Sequence, residues 1–539
     1  MKMLGAWQAA TLFVCSLTAV GCGDDSSEAG ATGGAGGSGG SSGTSGSAGS
    51  AGLPPVNAAD YLDRPLREQV AVMETRQLTS ADLTKGYLDR IEARDKGSSG
   101  IHAVLALDPS ASAGAATLDK ARGGGALLQG AAILIKDNID TKGVATTAGS
   151  IALADNVPAA DAPAVRQLRD ANALVLGKTN LSEWANFRGN ASTSGWSSAG
   201  GQTSNGADPA YNPCGSSSGS AAAIAAGMAS AALGTETDGS IVCPASMNGV
   251  VGFKPTVGLV SRTGVVPISH SQDTIGTLTK TVGDAARLLG VIAGPDPADP
   301  ATAEIPAGFD RNFEKTLETA TLSGVRLGVV DSFGGFTSAV RTLFAAELER
   351  IKAAGATVVT VSLPTAADYS NDEYTTLIHE FKQDLNAYLG AHAVGTQPRT
   401  LEELIAFNEA NKAVVMPYFG QQIFISAQAT TGLDAPQYVT AKERARRTTR
   451  EQGIVAVMTA DNLNALISPS STPAFMTNYA TGDTGLGVAS GPAAVAGCPH
   501  LSVPMGKING LPVGLSIFAG PWQDANVLAL GYAYEKLPR

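Results

Sequence analysis

Histidine is scarce in this chain, which has 539 residues and only five histidines. None of the five lies in a motif typical of a serine or cysteine nucleophile; they are His102, His270, His379, His392 and His500. Histidine is the usual base that activates such a nucleophile. The shortage therefore argues against an enzyme in which histidine activates serine or cysteine.

Cysteine is equally rare, and its five occurrences include no C-x-x-C pair; an H-E-x-x-H motif is absent as well. Without these spacings we predict no metal site and no cofactor. Cys15 and Cys22 lie near the N-terminus, which leaves Cys214, Cys243 and Cys498. Three thiols allow at most one disulfide, and Cys214 and Cys243 could approach each other because they flank Ser216 and Ser240. We nevertheless predict a buried free thiol for each.

Basic residues are outnumbered by acidic residues, 37 to 48, so the net charge is -11 and the isoelectric point is about 5.0. Proteins that bind nucleic acid usually carry an excess of positive charge, so we predict no nucleic-acid partner. A phosphate-binding loop is excluded too. Gly177-Lys178-Thr179 lacks the earlier glycine of that motif, because position 172 is asparagine.

The N-terminal segment, residues 1–22, has one early cation, Lys2, then an apolar stretch and the small residues Ala19-Val20-Gly21 before Cys22. This order is typical of a bacterial lipoprotein signal that ends at a lipidated cysteine. An ordinary secretory signal is the alternative. Either one predicts an exported protein, and lipidation at Cys22 would place it in the cell envelope, at the periplasm or outer membrane.

Residues 23–55 are rich in glycine and serine and contain almost nothing that a core could bury. Such a composition predicts a flexible tether. We expect the segment from Ser26 to Gly52 to span roughly 30 Å. Pro54 and Pro55 mark the boundary with the folded part, residues 56–539.

Residues 211–256 are the stretch around which the folded part is organised. Within it, residues 220–233 are mostly alanine and carry no charge, which predicts a buried helix, although residues 230–235 are also strand-like. The turn before this helix presents three serines between Gly215 and Gly219. In the turn after it, Gly239 precedes Ser240 and allows successive backbone N–H groups to converge on an anion.

A serine nucleophile here needs a base other than histidine, and Lys136 is the candidate. It follows the apolar run 131–135, which predicts a buried strand whose carboxyl end carries the lysine. Burial lowers the pKa of a lysine, so the amine would be neutral and able to accept a proton.

The surrounding motifs resemble those of the amidase signature family. They are G-A-A-I-L-I-K-D-N-I-D (130–140), G-K-T-N-L-S-E-W (177–184), G-S-S-S-G-S-A (215–221), G-T-E-T-D-G-S-I-V-C-P-A (234–245) and G-F-K-P-T (252–256). The segment T-E-T-D-G-S-I-V-C-P-A is most similar to the corresponding segment of bacterial peptide amidases. The resemblance implies one large α/β domain over residues 56–539, with a mixed central β-sheet covered on both faces by helices.

The same resemblance implies hydrolysis of a carboxamide to an acid and ammonia through a Ser-cis-Ser-Lys triad and an acyl-enzyme. By the matching positions, Ser240 is the nucleophile, Ser216 is the bridging serine in a cis peptide, and Lys136 is the base. The oxyanion hole is implied to be the backbone N–H groups of Thr237, Asp238, Gly239 and Ser240. The expected partner is a small-molecule or peptide amide, and a membrane only through a lipid at Cys22.

Two alternatives remain open at this point. The first is an amidotransferase component that takes ammonia from glutamine, which the export signal argues against; Val242, where much of the family has arginine, argues against it too. The second is a non-catalytic envelope lipoprotein, against which the intact Lys136, Ser216 and Ser240 count.

Further along the chain, residues 324–331, 340–353 and 357–361 predict a strand, a helix and a strand, the pattern of a parallel sheet. Residues 365–460 are predicted to be helical and, by resemblance, to wall the substrate pocket. Tyr418 and Phe419 are candidates for lining it.

Overall fold

The computed structural model describes residues 54–121, 125–392, 394, 398–484 and 486–538. The predicted signal, with Cys22, and the predicted tether up to residue 53 lie outside the described residues. Across the described ranges, every helix is too short or too polar to cross a membrane.

The strands of the described residues form one large mixed sheet and one short pair. The strands are β1 (Val104–Leu107), β2 (Ala132–Lys136), β3 (Leu174–Thr179), β4 (Trp196–Ser197), β5 (Gly201–Gln202), β6 (Ala231–Glu236), β7 (Val251–Lys254), β8 (Thr274–Thr279), β9 (Arg326–Val330), β10 (Thr357–Val361), β11 (Ala465–Pro469), β12 (His500–Ile508) and β13 (Leu511–Phe518). The large sheet has eleven strands in the order β1-β3-β2-β6-β8-β7-β12-β13-β11-β9-β10, and β4 pairs with β5.

Two parallel groups lie within this sheet, β3-β2-β6 and β11-β9-β10, and the remaining neighbours are antiparallel. Every residue of β2, β3 and β6 is buried. Because successive side chains of a strand point to opposite faces, these strands are covered on both faces. The predicted mixed α/β fold is confirmed.

Helices cover the sheet and fill the region between β10 and β11. They are α1 (Leu66–Glu74), α2 (Ser80–Asp95), α3 (Ala111–Lys120), α4 (Pro163–Asp170), α5 (Ser218–Ala225), α6 (Val242–Asn248), α7 (Val282–Ile292), α8 (Phe313–Leu317), α9 (Ser338–Ala353), α10 (Ala366–Ala391), α11 (Leu401–Ala410), α12 (Lys412–Val415), α13 (Gln422–Gln428), α14 (Pro436–Arg446), α15 (Ala456–Ala460), α16 (Gly491–Val495) and α17 (Asp524–Glu535). A π-helical stretch, Arg447–Val455, joins α14 to α15, and short 3-10 turns lie at Ala58–Asp60, Ile151–Leu153, Glu183–Asn186 and Pro300–Glu304.

Both of the regular patterns predicted after residue 320 are present. Strands β9 and β10 are parallel and are connected by α9, as expected for a strand, helix and strand unit. Residues 365–460 are mainly helical, and α10 and α13 contribute Phe381 and Phe424 to a separate apolar cluster beside the sheet.

The helix predicted over residues 220–233 is wrong in its second half. Helix α5 ends at Ala225, and the chain turns at Gly227, whose φ is 69°, before entering β6. A glycine suits this position because a left-handed backbone ends the helix without a Cβ clash. A Cβ at residue 227 would also lie 2.2 Å from side-chain atoms of Arg90 and Asp63. The turn brings the chain back across the sheet, so the two serine-rich turns meet.

Candidate active site

The site lies at the carboxyl ends of β2 and β6, which are parallel neighbours with Ile133 opposite Ala231 and Ile135 opposite Leu233. Carboxyl ends of parallel strands share one edge of a sheet, where loops can converge. Strand β2 ends at Lys136, and β6 leads into the turn at 237–240. The order of the strands therefore puts the predicted base beside the predicted oxyanion turn.

Lys136 is fully buried, as the apolar run before it predicted. Its Nζ lies 2.8 Å from Ser216 Oγ, 2.8 Å from Thr235 Oγ1 and 3.1 Å from the carbonyl oxygen of Thr235. Loss of hydration lowers the pKa of Lys136 to about 7, although the carboxylates of Asp273 and Glu236 act in the opposite direction. A substantial fraction of the amine is therefore neutral at physiological pH.

The turn before α5 contains a cis peptide bond between Gly215 and Ser216. Ser216 is fully buried, and its carbonyl oxygen accepts a hydrogen bond of 3.2 Å from the N–H of Ser182. A Cβ at residue 215 would lie 2.2 Å from Ser182 Oγ, so only glycine fits there. The N–H of Ser217 donates to the carbonyl oxygen of Ser240 at 3.1 Å. This bond joins the two serine-rich turns directly.

The turn after β6 has the shape expected of an anion-binding loop. Gly239 has a φ of 78°, and within the described ranges no acceptor is paired with the N–H groups of Asp238, Gly239 or Ser240. Unpaired N–H groups that follow one another in such a turn can bind an oxyanion. Ser240 keeps 7% of its surface exposed, so a substrate can reach it.

Glu236 is a residue that the sequence analysis missed. It is buried at the end of β6, and its Oε2 accepts hydrogen bonds from the N–H groups of Ile241 and Val242 at 2.7 and 3.0 Å. The carboxylate thus binds the first N–H groups of α6 and holds the turn in place. A glutamate at the end of an apolar strand was the available signal, because a buried carboxylate needs specific donors.

Asp238 lies in the turn that would bind the oxyanion, where a carboxylate aimed at the same point would oppose a second negative charge. Its side chain reaches solvent and bonds to Ser490 and Glu373. Burial, and then the charge of Asp238, raise the pKa of Glu373. Burial raises the pKa of Asp238 as well, and both shifts favour protonation, which reduces the negative charge beside Ser240.

The prediction of free thiols at residues 214 and 243 is wrong. Cys214 and Cys243 form a disulfide, with their Cα atoms 6.0 Å apart. The reason is tertiary: Cys214 directly precedes the turn of Ser216, Cys243 follows the turn of Ser240, and those turns are in contact. Cys498 is a buried free thiol.

Lys178 lies near the site but does not enter it. It is fully buried, its Nζ is 3.3 Å from a carboxylate oxygen of Asp137, and it donates to the carbonyl oxygen of Ile139 at 2.8 Å. These contacts stabilise the loop that follows β2. The residue is part of the scaffold behind Lys136.

One group of possible metal ligands lies apart from the serine turns: His270, Glu380 and Asp384, with ligand atoms all within 4.8 Å of one another. Lys442 Nζ lies 3.2 Å from His270 Nε2 and 3.1 Å from Glu380 Oε1. An ammonium group is therefore already paired with one of the two carboxylates of this cluster. We interpret it as an ion-pair network between α10 and α14.

Fold and site together define an enzyme that hydrolyses amides. Residues 82–528 match the Amidase family, and the chain belongs to that family. It is similar to the peptide amidase of Stenotrophomonas maltophilia, with 45% identity, a TM-score of 0.84, and coverage of 89% of this chain and 97% of that one. The predicted family and enzyme class are confirmed, which removes the non-catalytic alternative.

Two relatives by sequence cover a similar share of the chain. A probable amidase of Arabidopsis thaliana is 37% identical over 486 residues, which is 87% of this chain and 88% of the relative. A component of the glutamyl-tRNA(Gln) amidotransferase of Thermosynechococcus vestitus is 35% identical over 477 residues, or 86% and 95% of the two chains. Both resemblances extend across the site.

Proposed function

We propose that this amidase hydrolyses C-terminal peptide amides to the free acid and ammonia, with Ser240 as nucleophile, Ser216 as bridge and Lys136 as base. The observation that supports this proposal most directly is the buried amine of Lys136, 2.8 Å from the hydroxyl of Ser216. A serine needs a base to become a nucleophile, and here a lysine occupies the position of that base.

The contacts of Lys136 also suit a neutral amine. A neutral amine has two N–H bonds and one lone pair. The carbonyl and hydroxyl oxygens of Thr235 can accept the two N–H bonds, at 3.1 and 2.8 Å. The lone pair then faces Ser216 Oγ, so Lys136 is oriented to accept the proton of that hydroxyl.

In the proposed reaction, the oxygen of Ser240 forms a bond to the amide carbon while its proton moves to Ser216 and the proton of Ser216 moves to Lys136. The N–H groups of residues 237–240 stabilise the oxyanion. The C–N bond then breaks, and the proton returns through Ser216 to the departing ammonia. Water repeats the path on the acyl-enzyme and releases the acid.

The similarity to peptide amidase at 45% identity supports peptide amides as the substrate class. The match to an amidotransferase component keeps glutamine as a second candidate donor of ammonia. Measuring ammonia release from peptide amides, simple amides and glutamine separates the two. We expect the peptide amides to be hydrolysed fastest.

The chain is also proposed to be exported and anchored through a lipid at Cys22. Support comes from the disulfide between Cys214 and Cys243, because disulfides persist in oxidising compartments and are rare in the cytosol. Glutamine-dependent amidation of tRNA is a cytoplasmic reaction, so export also favours a hydrolase.

The test of the nucleophile is Ser240→Ala, with Ser338→Ala, an exposed serine on α9, as the control. We expect Ser240→Ala to lower the rate of ammonia release by about 10^4-fold or more, and a fluorophosphonate to label Ser240 in the wild-type protein. The Ser338→Ala control should release ammonia at the wild-type rate and should still be labelled by the fluorophosphonate. A Ser240→Ala variant with wild-type turnover would contradict the proposed triad.

A further inference from the structure

Four aromatic rings are packed together beside the site, and we call them the aromatic platform: Trp196, Tyr418, Phe419 and Tyr479. Tyr418 and Tyr479 are stacked, with ring centroids 4.1 Å apart and planes inclined by 20°. Trp196 meets Tyr418 and Phe419 edge to face, at 5.5 and 5.4 Å. These are the arrangements that aromatic rings favour.

The platform has a buried base and an open face. Trp196 and Phe419 are only 6% and 5% exposed, whereas Tyr418 and Tyr479 are 43% and 36% exposed. Met476, on the same segment as Tyr479, is 63% exposed. Large apolar groups that stay exposed at one place indicate a surface that binds something.

A buried cation holds the base of the platform in place. Arg188 is fully buried, and its Nε lies 2.7 Å from a carboxylate oxygen of Glu183. Arg188 also donates to the carbonyl oxygens of Phe419 and Gly420 at 3.2 and 3.1 Å, and its guanidinium lies 4.2 Å from the centre of the Phe419 ring. The buried half of the platform is therefore held in place before a ligand binds, which lowers the entropy lost on binding.

The platform is connected to the turn of Ser216 from one side. Asn212 donates through its N–H to the carbonyl oxygen of Phe475 at 2.7 Å, and through Nδ2 to Thr477 Oγ1 at 3.2 Å. Asn212 precedes Ser216 by four residues, which span at most about 14 Å. Tyr479 thus belongs to a segment bonded directly to the catalytic turn.

The same segment reaches the other serine turn at its far end. Residues 472–490 end at Ser490, and a Cβ placed on Gly239 would lie 3.0 Å from Ser490 Oγ. Described residues on either side of the platform, Thr477 and Ser490, therefore contact Asn212 and approach Gly239, so the platform lies near both serine turns.

We propose that the aromatic platform binds an aromatic or large apolar side chain of the peptide amide, upstream of the scissile carboxamide. This inference rests on the proposed peptide-amide function. A carboxamide at Ser240 is the C-terminal end of its peptide, so the rest of the peptide can leave the site only toward its own N-terminus. The side chain that the platform binds is therefore one of those upstream of the carboxamide, and moving it along the peptide determines which one.

The ring chemistry sets the preference. An incoming ring can stack on the exposed face of Tyr418 or Tyr479, and it removes apolar surface of both partners from water. The positive charge of Arg188 is already paired with Glu183, so the platform offers no free charge to an acidic side chain.

The test uses six-residue peptide amides that differ only by phenylalanine or alanine at one upstream position, moved from the second to the sixth residue before the carboxamide. An acetylated single-residue amide serves as the short substrate. The variants are Tyr418→Ala, Tyr479→Ala and Tyr418→Phe. Tyr374→Ala, which removes a tyrosine 40% exposed outside the platform, is the control.

We expect phenylalanine at one of these positions to raise kcat/KM about tenfold over alanine, mainly by lowering KM. Both alanine variants should lose that gain, whereas Tyr418→Phe and the Tyr374→Ala control should keep it. The kcat/KM of the short amide should change much less in the alanine variants. Equal kcat/KM for all the phenylalanine and alanine peptides would overturn the inference. So would an equal loss on long and short substrates, because that pattern indicates a purely structural role.

Calorimetric binding of the same peptide amides to the Ser240→Ala protein separates this inference from the proposed function. Tighter binding of a phenylalanine peptide, lost in a Ser240→Ala/Tyr479→Ala protein, supports the platform whatever the triad does. If the wild-type protein releases no ammonia from any amide, the proposed function fails. If the two peptides bind equally, the platform proposal fails.

Discussion

Lys136 illustrates how one residue acquires its chemistry from its surroundings. An exposed lysine is protonated at neutral pH and cannot accept a proton. Complete burial at the end of β2 lowers the pKa to about 7, even though Asp273 and Glu236 favour the charged form. The loss of hydration is the larger effect, and it is what makes the amine suitable as a base.

The pH dependence of hydrolysis should follow this lysine. Below a pKa of about 7 the amine is protonated and cannot accept the proton of Ser216. We expect kcat/KM for a peptide amide to rise about tenfold per pH unit below pH 7 and to level off above it. The measurement is the rate of ammonia release between pH 5 and pH 9.

Replacing the lysine tests the assignment. Lys136→Ala should lower kcat by about 10^2- to 10^4-fold at pH 8, while Lys142→Ala, an exposed lysine in the following loop, should have no effect. A rising limb near pH 7 that persists in Lys136→Ala would show that another group is responsible for it.

At the scale of elements, the site depends on three consecutive pieces: α5, β6 and α6. The short helix α5 ends at Ala225, β6 returns across the sheet, and Glu236 holds the start of α6. The turns before α5 and after β6 are therefore neighbours, although Ser216 and Ser240 are far apart along the chain. The disulfide between Cys214 and Cys243 joins the same two turns covalently.

Removing this disulfide should destabilise the domain. The two cysteines are 29 residues apart, and closing a loop of that length in the unfolded chain contributes about 3 to 4 kcal/mol to the free energy of unfolding. We expect Cys214→Ala/Cys243→Ala to lose that amount in a urea titration. Wild-type protein should approach the same midpoint once dithiothreitol has reduced the bond.

The reductant itself supplies the control, because dithiothreitol should not change the stability of the double variant. Activity provides a second measurement, since the bond joins the turns that carry Ser216 and Ser240. If the double variant and the wild type share one urea midpoint without reductant, the disulfide does not stabilise the domain.

At the scale of the whole molecule, the family match over residues 82–528 spans the sheet and the site and leaves the N-terminal segment outside. The proposed lipid at Cys22 would then fix where the enzyme works without taking part in its chemistry. A glycine- and serine-rich tether suits this role because it contains almost nothing that a core could bury.

The anchor can be tested in bacterial cells that express the full chain. We expect wild-type protein in the detergent-extracted membrane fraction and Cys22→Ser in the soluble fraction, with similar rates of amide hydrolysis. Cys15→Ser is the matched control, and it should stay with the membranes. Wild-type protein in the soluble fraction would argue for an ordinary secretory signal instead.

Much of the fold was predictable because it is encoded locally. The buried strand that ends at Lys136, the unit of β9, α9 and β10, and the helix that begins after Thr79 all follow from apolar spacing and capping residues. The motifs also placed Lys136 and Ser216 together, and the structure puts their side chains in contact. The catalytic roles remain predictions.

What the sequence alone determined was the fold class, the family and the small set of residues that carry the proposed chemistry, since these follow from local patterns and from motifs in a fixed order. Only the tertiary structure decided that Cys214 bonds to Cys243 and that Tyr418 stacks on Tyr479. Each of these contacts joins segments whose approach depends on how the chain turns back at Gly227 or how distant loops pack. Such approach is a property of the folded chain as a whole, so no local pattern encodes it.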